Sequence, residues 1–166
     1  MALRSVGMSS LSGKVESETE IEANASDFYK VLRKQLYDVP NICPDDVHAA
    51  HVRQGDWENV GSVQQWDYTI EGKKTSAKEK IEAIDDENKT ITYSLFGEEI
   101  SNDYKTFKGT IKVSDKGSGG GIVKWTFEYE KNKKNMTAAS PQSYLDFAIK
   151  VTRDIDAHVA KCLSHN

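Results

Sequence analysis

The chain is poor in the residues that stiffen small proteins covalently. It has two cysteines, Cys43 and Cys162, in 166 residues. Their spacing fits neither a redox pair nor a metal-ligand set, so they read as free thiols of a reducing compartment. Three prolines leave element interiors largely uninterrupted. No apolar run approaches the ~18 residues of a membrane span. The opening MALRSVGMSS lacks the apolar core of a secretory signal, so the expected location is cytoplasmic. Basic charge is in deficit, with 22 Lys and Arg against 26 Asp and Glu and a net charge of −4, whereas nucleic-acid binding needs a basic face. Catalytic groups are equally sparse. The four histidines, His48, His51, His158 and His165, form no Ser-His-Asp set and no metal-ligand spacing. Gly55 and Gly61 are wrongly spaced for a phosphate loop, and no Lys-Ser/Thr follows them. Neither an enzyme nor a bound cofactor or metal is expected.

What is present suffices for one globular domain. Hydrophobic residues make up 37% and charged residues 29%, ordinary values for a packed core with a solvated surface. Residues 1–10 read as a flexible leader and residues 11–166 as a single domain. The longest regular pattern is the last. Ser140 caps a helix opened by Pro141, and Leu145, Ala148, Ile149, Thr152, Ile155, Val159 and Leu163 share one face of it. Phe147 falls on the wrong side of that stripe.

Before it, Leu11 to Glu22 alternates as a half-buried strand with Val15, Ser17, Thr19 and Ile21 inward. A helix capped by Asn24 or Ser26 follows and should end at Val39-Pro40, because the residue before proline avoids helical geometry. A short second helix is expected within residues 41–46. From Val47 the period is two through six strands: Val47–Arg53, Ser62–Ile70, Thr75–Ile84, Thr90–Phe96, Tyr104–Val113 and Ile122–Glu130. Glu71-Gly72-Lys73 is a hairpin turn, and Gly97–Asp103 reads as a polar loop. Short turns imply antiparallel pairing. The fold class is therefore α+β, a seven-stranded sheet wrapped around a long C-terminal helix, with two short helices after the first strand.

Gly55-Asp56-Trp57, Gly61-Ser62-Val63 and Trp66-Asp67-Tyr68 resemble the glycine loop and following strand of the plant major latex proteins. Lys78–Asp85, Tyr104–Lys108, Trp125–Lys131, Asp146-Phe147-Ala148 and Asp154-Ile155-Asp156 are similar to later segments of that family, in the same order, over about residues 11–163. The resemblance extends to the Bet v 1 and pathogenesis-related-10 superfamily. It implies a helix-grip fold enclosing a cavity, binding of small hydrophobic ligands, and a link to plant defence and stress. One departure is Arg53, where the family commonly has His.

Inward parity assigns Trp66, Tyr68, Glu79, Ile81, Tyr93, Leu95, Phe107, Ile111, Trp125 and Phe127 to the lining from the sheet. The helix contributes Leu145, Ala148, Thr152 and Ile155. The small residues Ala49, Ala77, Ala83, Gly109, Ala148 and Thr152 leave room between the two surfaces. A fully packed core would account for the same aromatic stripe. Gly55, Trp57 and Gly61 form the entrance loop, mobile or specially folded. Glu79 and His51 are polar residues on inward parity; a strand end in solvent accounts for His51, whereas a buried carboxylate needs a partner, a proton or water. The expected partner is a small hydrophobic ligand, with no nucleic acid and no membrane span, in a monomer or weak dimer. Two alternatives remain: an enzyme of this fold using Glu79 with Tyr68 or Tyr93, and a protein-interaction module that presents Trp57 to a partner.

Overall fold

The computed structural model describes residues 11–132 and 138–164, the last two by backbone alone. The leader, Lys133 and Lys134, the Leu163 side chain and His165 lie outside that description. Seven strands, β1 (Ser12–Ile21), β2 (Val47–Gln54), β3 (Val63–Ile70), β4 (Lys73–Asp85), β5 (Thr90–Phe96), β6 (Tyr104–Asp115) and β7 (Gly121–Lys131), make one sheet. Its order is β1-β7-β6-β5-β4-β3-β2, and every neighbouring pair is antiparallel. The helices are α1 (Ala25–Lys34), α2 (Val39–Ile42), α3 (Glu98–Asp103) and α4 (Pro141–Ser164). The sheet curves around α4, which packs on β1, β7 and β3 and touches α1 and α2.

Local chemistry fixes the joints. The Asn24 side chain accepts from the Asp27 N–H at 2.8 Å and starts α1, and Ser140 Oγ accepts from the Ser143 N–H at 3.1 Å and starts α4. Glu71 and Gly72 both have positive φ, 53° and 74°, as a two-residue type I′ hairpin requires. The Glu71 carboxylate accepts from the Ser140 N–H and the Ser143 hydroxyl, tying the β3–β4 turn to the positive end of α4. Farther along α4, Asp156 accepts from the Glu22 and Ala23 N–H groups at 2.9 and 3.0 Å, anchoring the exit of β1.

Several expectations need correction. Helix α1 stops at Lys34, five residues before Val39, and a 3₁₀ turn at Leu36–Asp38 follows. Pro40 does not end a helix but opens α2, in a first-turn position that needs no N–H donor. The supposed loop at 97–103 contains α3, which buries Ile100 and Asp103 behind a Gly97 of φ 84°. Bulges also break the period of two. One between Ile81 and Ala83 leaves Ala83 exposed and turns Ile84 toward the core. One between Val47 and Ala49 precedes His51, which is exposed, in keeping with a strand end in solvent. One between Tyr104 and Thr106 buries Tyr104 and puts Lys105 in solvent. An extra residue on one strand reverses every inward and outward assignment beyond it.

Candidate functional site

The core between sheet and helix divides in two. One half gathers α1, α2 and the ends of β1, β6 and β7 around Phe28, Val123 and Ile155. The other gathers Tyr68, Tyr104, Phe107, Phe127, Tyr144 and Leu145. Trp66, Trp125 and Phe147 pack against both halves. Between them lies a cavity of about 140 Å³.

Strands supply Val47, Trp66, Tyr68, Ala77, Glu79, Tyr93, Leu95, Gly109, Ile111, Trp125 and Phe127 to its wall. Helix α4 supplies Tyr144, Phe147, Ala148, Val151, Thr152 and Ile155, and the segment from α1 to α2 supplies Leu32, Leu36 and Val39. Of the expected lining, Ile81, Phe107 and Leu145 are absent from the wall. They are 2%, 1% and 2% exposed and belong to the packed core behind it. Ala49 and Ala83 also fall outside, as the bulges require. Phe147 and Val151 lie on the wall because the space is wider than one helical stripe, so the inward arc of α4 is broader than the periodic pattern suggests. Leu32, Leu36 and Val39 were not expected on the wall, since no local pattern shows which core residues meet a void.

The polar atoms in the wall are positioned by side-chain hydrogen bonds. The Trp125 indole N–H donates to Thr152 Oγ1 at 2.8 Å, and that hydroxyl donates to the Ala148 carbonyl at 2.8 Å. Trp125 also stacks on Phe127, with ring centroids 5.5 Å apart and planes within 3°. The Tyr68 and Tyr144 hydroxyls lie 2.6 Å apart, and burial pushes Tyr68 up to about 12.

Glu79 is the single carboxylate in the wall, where no Lys, Arg or His appears among the described residues. Its Oε1 accepts the Trp66 indole N–H at 3.2 Å. The side chain keeps partial accessibility because it faces the cavity, yet protein surrounds it. Desolvation therefore dominates and pushes the carboxyl up from 4.5 to about 7, with the Trp66 hydrogen bond opposing.

The loop beside the cavity is specially folded. The Asp56 carboxylate accepts from the Glu58 and Asn59 N–H groups, the Asn59 amide and the Ser62 hydroxyl, at 2.6 to 3.0 Å. These bonds hold its pKa far below the ordinary carboxylate range. Gly55 has φ 73° and lies so close to Ser62 that a Cβ would stand 2.6 Å from its Oγ. Gly61, at φ 92°, donates its N–H to the Ile81 carbonyl at 2.8 Å. Trp57 does not reach the cavity wall. It packs edge-on against Trp66, with centroids 5.9 Å apart.

Other candidates are placed elsewhere. Arg53 is exposed and donates to Gln65 Oε1 at 3.0 Å. Cys43 is buried, with its thiol pushed up to about 12 by desolvation, and Cys162 is exposed. Among the described residues no cluster of His, Cys, Asp and Glu could hold a metal ion, and no helix is long and apolar enough to cross a membrane.

Comparison with known proteins agrees with this architecture. The model of the pathogenesis-related protein Bet v 1 family matches residues 10–162. MLP-like protein 43 of Arabidopsis thaliana is 38% identical over 152 residues, covering 91% of this chain and 95% of that one. Major latex protein 146 of Papaver somniferum is 37% identical over 153 residues, covering 92% and 94%. The crystal structure of major latex-like protein 151 from Panax ginseng superposes with a TM-score of 0.82 at 35% identity, covering 89% of this chain and 97% of that one.

Proposed function

Because the chain belongs to the pathogenesis-related protein Bet v 1 family, among its major latex proteins, we propose that it carries or senses a small hydrophobic ligand held between the sheet and α4. The observation that carries the reading is the cavity of about 140 Å³ with its nearly continuous apolar and aromatic wall. Natural cores rarely leave such a void, because empty space forfeits dispersion contacts. Cavities of about 150 Å³ lined by apolar side chains stay dry and take up a benzene-sized guest.

Size sets the affinity. A single aromatic ring offers about 150 Å² of surface. At about 25 cal/mol per Å² its burial gives about 4 kcal/mol, a millimolar dissociation constant. Tighter binding needs either a larger ligand that displaces a wall side chain such as Phe147 or a polar contact from Glu79, Tyr93 or Thr152. The free thiols Cys43 and Cys162 suit a reducing, cytoplasmic setting, and a defence role rests on the family name alone.

Native mass spectrometry of protein purified from its source tissue tests the reading, beside an Ala148→Leu variant whose added methyl groups project into the space. The expected result is a retained apolar molecule on the natural chain and none on the variant. A natural chain that arrives empty and binds no single-ring hydrocarbon overturns it.

A further inference from the structure

Resting on the ligand-cavity reading, we propose that the cavity selects ligands bearing a protonated amine and that Glu79 receives the ammonium group. Glu79 Oε1 is occupied by the Trp66 indole N–H at 3.2 Å, and Oε2 has no hydrogen-bond partner among the described residues. Its cross-strand neighbours are Gln64 and Leu95, neither of them cationic. Lys78, the preceding residue of β4, is exposed, as expected for the opposite face of the strand. The carboxylate thus sits in an apolar chamber without a counter-charge.

A group so placed must be neutralised. In the empty protein a proton does this, which is why burial raises the carboxyl to about 7. An ammonium ion can take the place of that proton and leave the chamber neutral. An anionic ligand would instead place two negative charges together where no cation lines the wall. The surroundings favour a cation further. Trp66 is in direct contact with the carboxylate, and the charge of Glu79 acts on the hydroxyls of Tyr68 and Tyr93. Aromatic faces attract ammonium groups, most strongly when both are out of water. The titratable groups facing the site are Tyr68 from β3, Tyr93 from β5 and Tyr144 from α4, all with raised pKa values. They stay neutral through the physiological range, so Glu79 alone sets the charge.

The test uses the full chain and three single-ring probes, benzylamine, its apolar isostere ethylbenzene, and benzyl alcohol. Binding is followed by calorimetry and by the indole N–H resonances of Trp66 and Trp125. Benzylamine is expected to bind at least tenfold more tightly than ethylbenzene at pH 8. Its affinity should fall about tenfold from pH 8 to pH 6, as Glu79 goes from about nine-tenths to about one-tenth ionised. Glu79→Gln, in which the amide oxygen can keep the Trp66 hydrogen bond, is expected to abolish the preference for the amine and the pH dependence while ethylbenzene still binds. If ethylbenzene or benzyl alcohol binds as well as benzylamine, or if Glu79→Gln leaves amine binding intact, the amine assignment falls and the hydrophobic carrier stands. If no probe moves either indole resonance, both readings fall.

Discussion

Glu79 makes stability depend on pH in a direction opposite to that of most carboxylates. Its pKa rises from 4.5 in the unfolded chain to about 7 in the fold. The folded state therefore holds the proton more tightly, and its stability is fullest below pH 4.5 and lost as pH climbs through 7. Each pH unit of difference is worth about 1.36 kcal/mol. The loss grows from about 1 kcal/mol at pH 5 to about 2 at pH 6 and about 3 at pH 7, and it levels off above that. Water entering the cavity would reduce these figures, so they are upper values. Glu79→Gln removes the titrating group and leaves the shape. Urea unfolding of both proteins at pH 5, 6, 7 and 8 isolates the effect, because all other ionisations cancel in the difference. The variant should gain on the natural chain by about 2 kcal/mol between pH 5 and pH 7 and by little more at pH 8. Parallel pH profiles would show that Glu79 titrates normally, and the account of a desolvated carboxylate would be wrong.

Other predictions concern the wall and the loop. Thr152→Val keeps the shape but leaves the Trp125 indole N–H without its acceptor at 2.8 Å. It should cost about 1–3 kcal/mol in urea unfolding and shift the Trp125 indole resonance, and an unchanged resonance would refute the hydrogen bond. Gly109→Ala puts a Cβ 2.6 Å from Phe127 Cε1. Since Phe127 is stacked on Trp125, thermal unfolding should show a loss of about 1–3 kcal/mol, and a neutral outcome would mean the ring moves freely. Asp56→Ala should speed hydrogen exchange of the Glu58 and Asn59 amides at least tenfold, whereas Trp57→Ala should leave them protected. A larger effect from Trp57→Ala than from Asp56→Ala would place the loop's rigidity in the aromatic contact rather than in the carboxylate.

The outline of the molecule was legible because its signals are periodic and long. The alternation of Val15 to Ile21, the strand at Thr90–Phe96 and the apolar face of α4 each run over several repeats, so one ambiguous residue does not change the reading. Small inward residues such as Ala77, Gly109, Ala148 and Thr152 hinted at the hollow, and family likeness at the loop and at Trp66-Asp67-Tyr68 strengthened it. What escaped was local. A bulge adds one residue without a compositional mark, so parity places Ala83 on the inner face where the fold leaves it exposed. Helix α3, six residues of EEISND, is too short for a period and begins after a positive-φ glycine that reads as a loop. Ile81, Phe107 and Leu145 point inward as expected but end in solid packing. Parity gives direction and says nothing of how far the opposing surface stands. Leu32, Leu36 and Val39 reach the wall through the break between α1 and α2, a tertiary arrangement with no local signature.

The strand made first is paired with the strand made last. Ser12 to Ile21 lies in register against Gly121 to Glu130, across about a hundred intervening residues. Meanwhile β2 to β7 form a meander in which each strand pairs with the one just before it. As the chain leaves the ribosome the meander can zip up hairpin by hairpin, but β1 must wait with its backbone edge unmet until β7 has emerged. Closing so long a loop delays the final step. In that interval the outward row Lys14, Glu16, Glu18 and Glu20 has its own use: charges on a waiting edge discourage it from joining a neighbouring nascent chain.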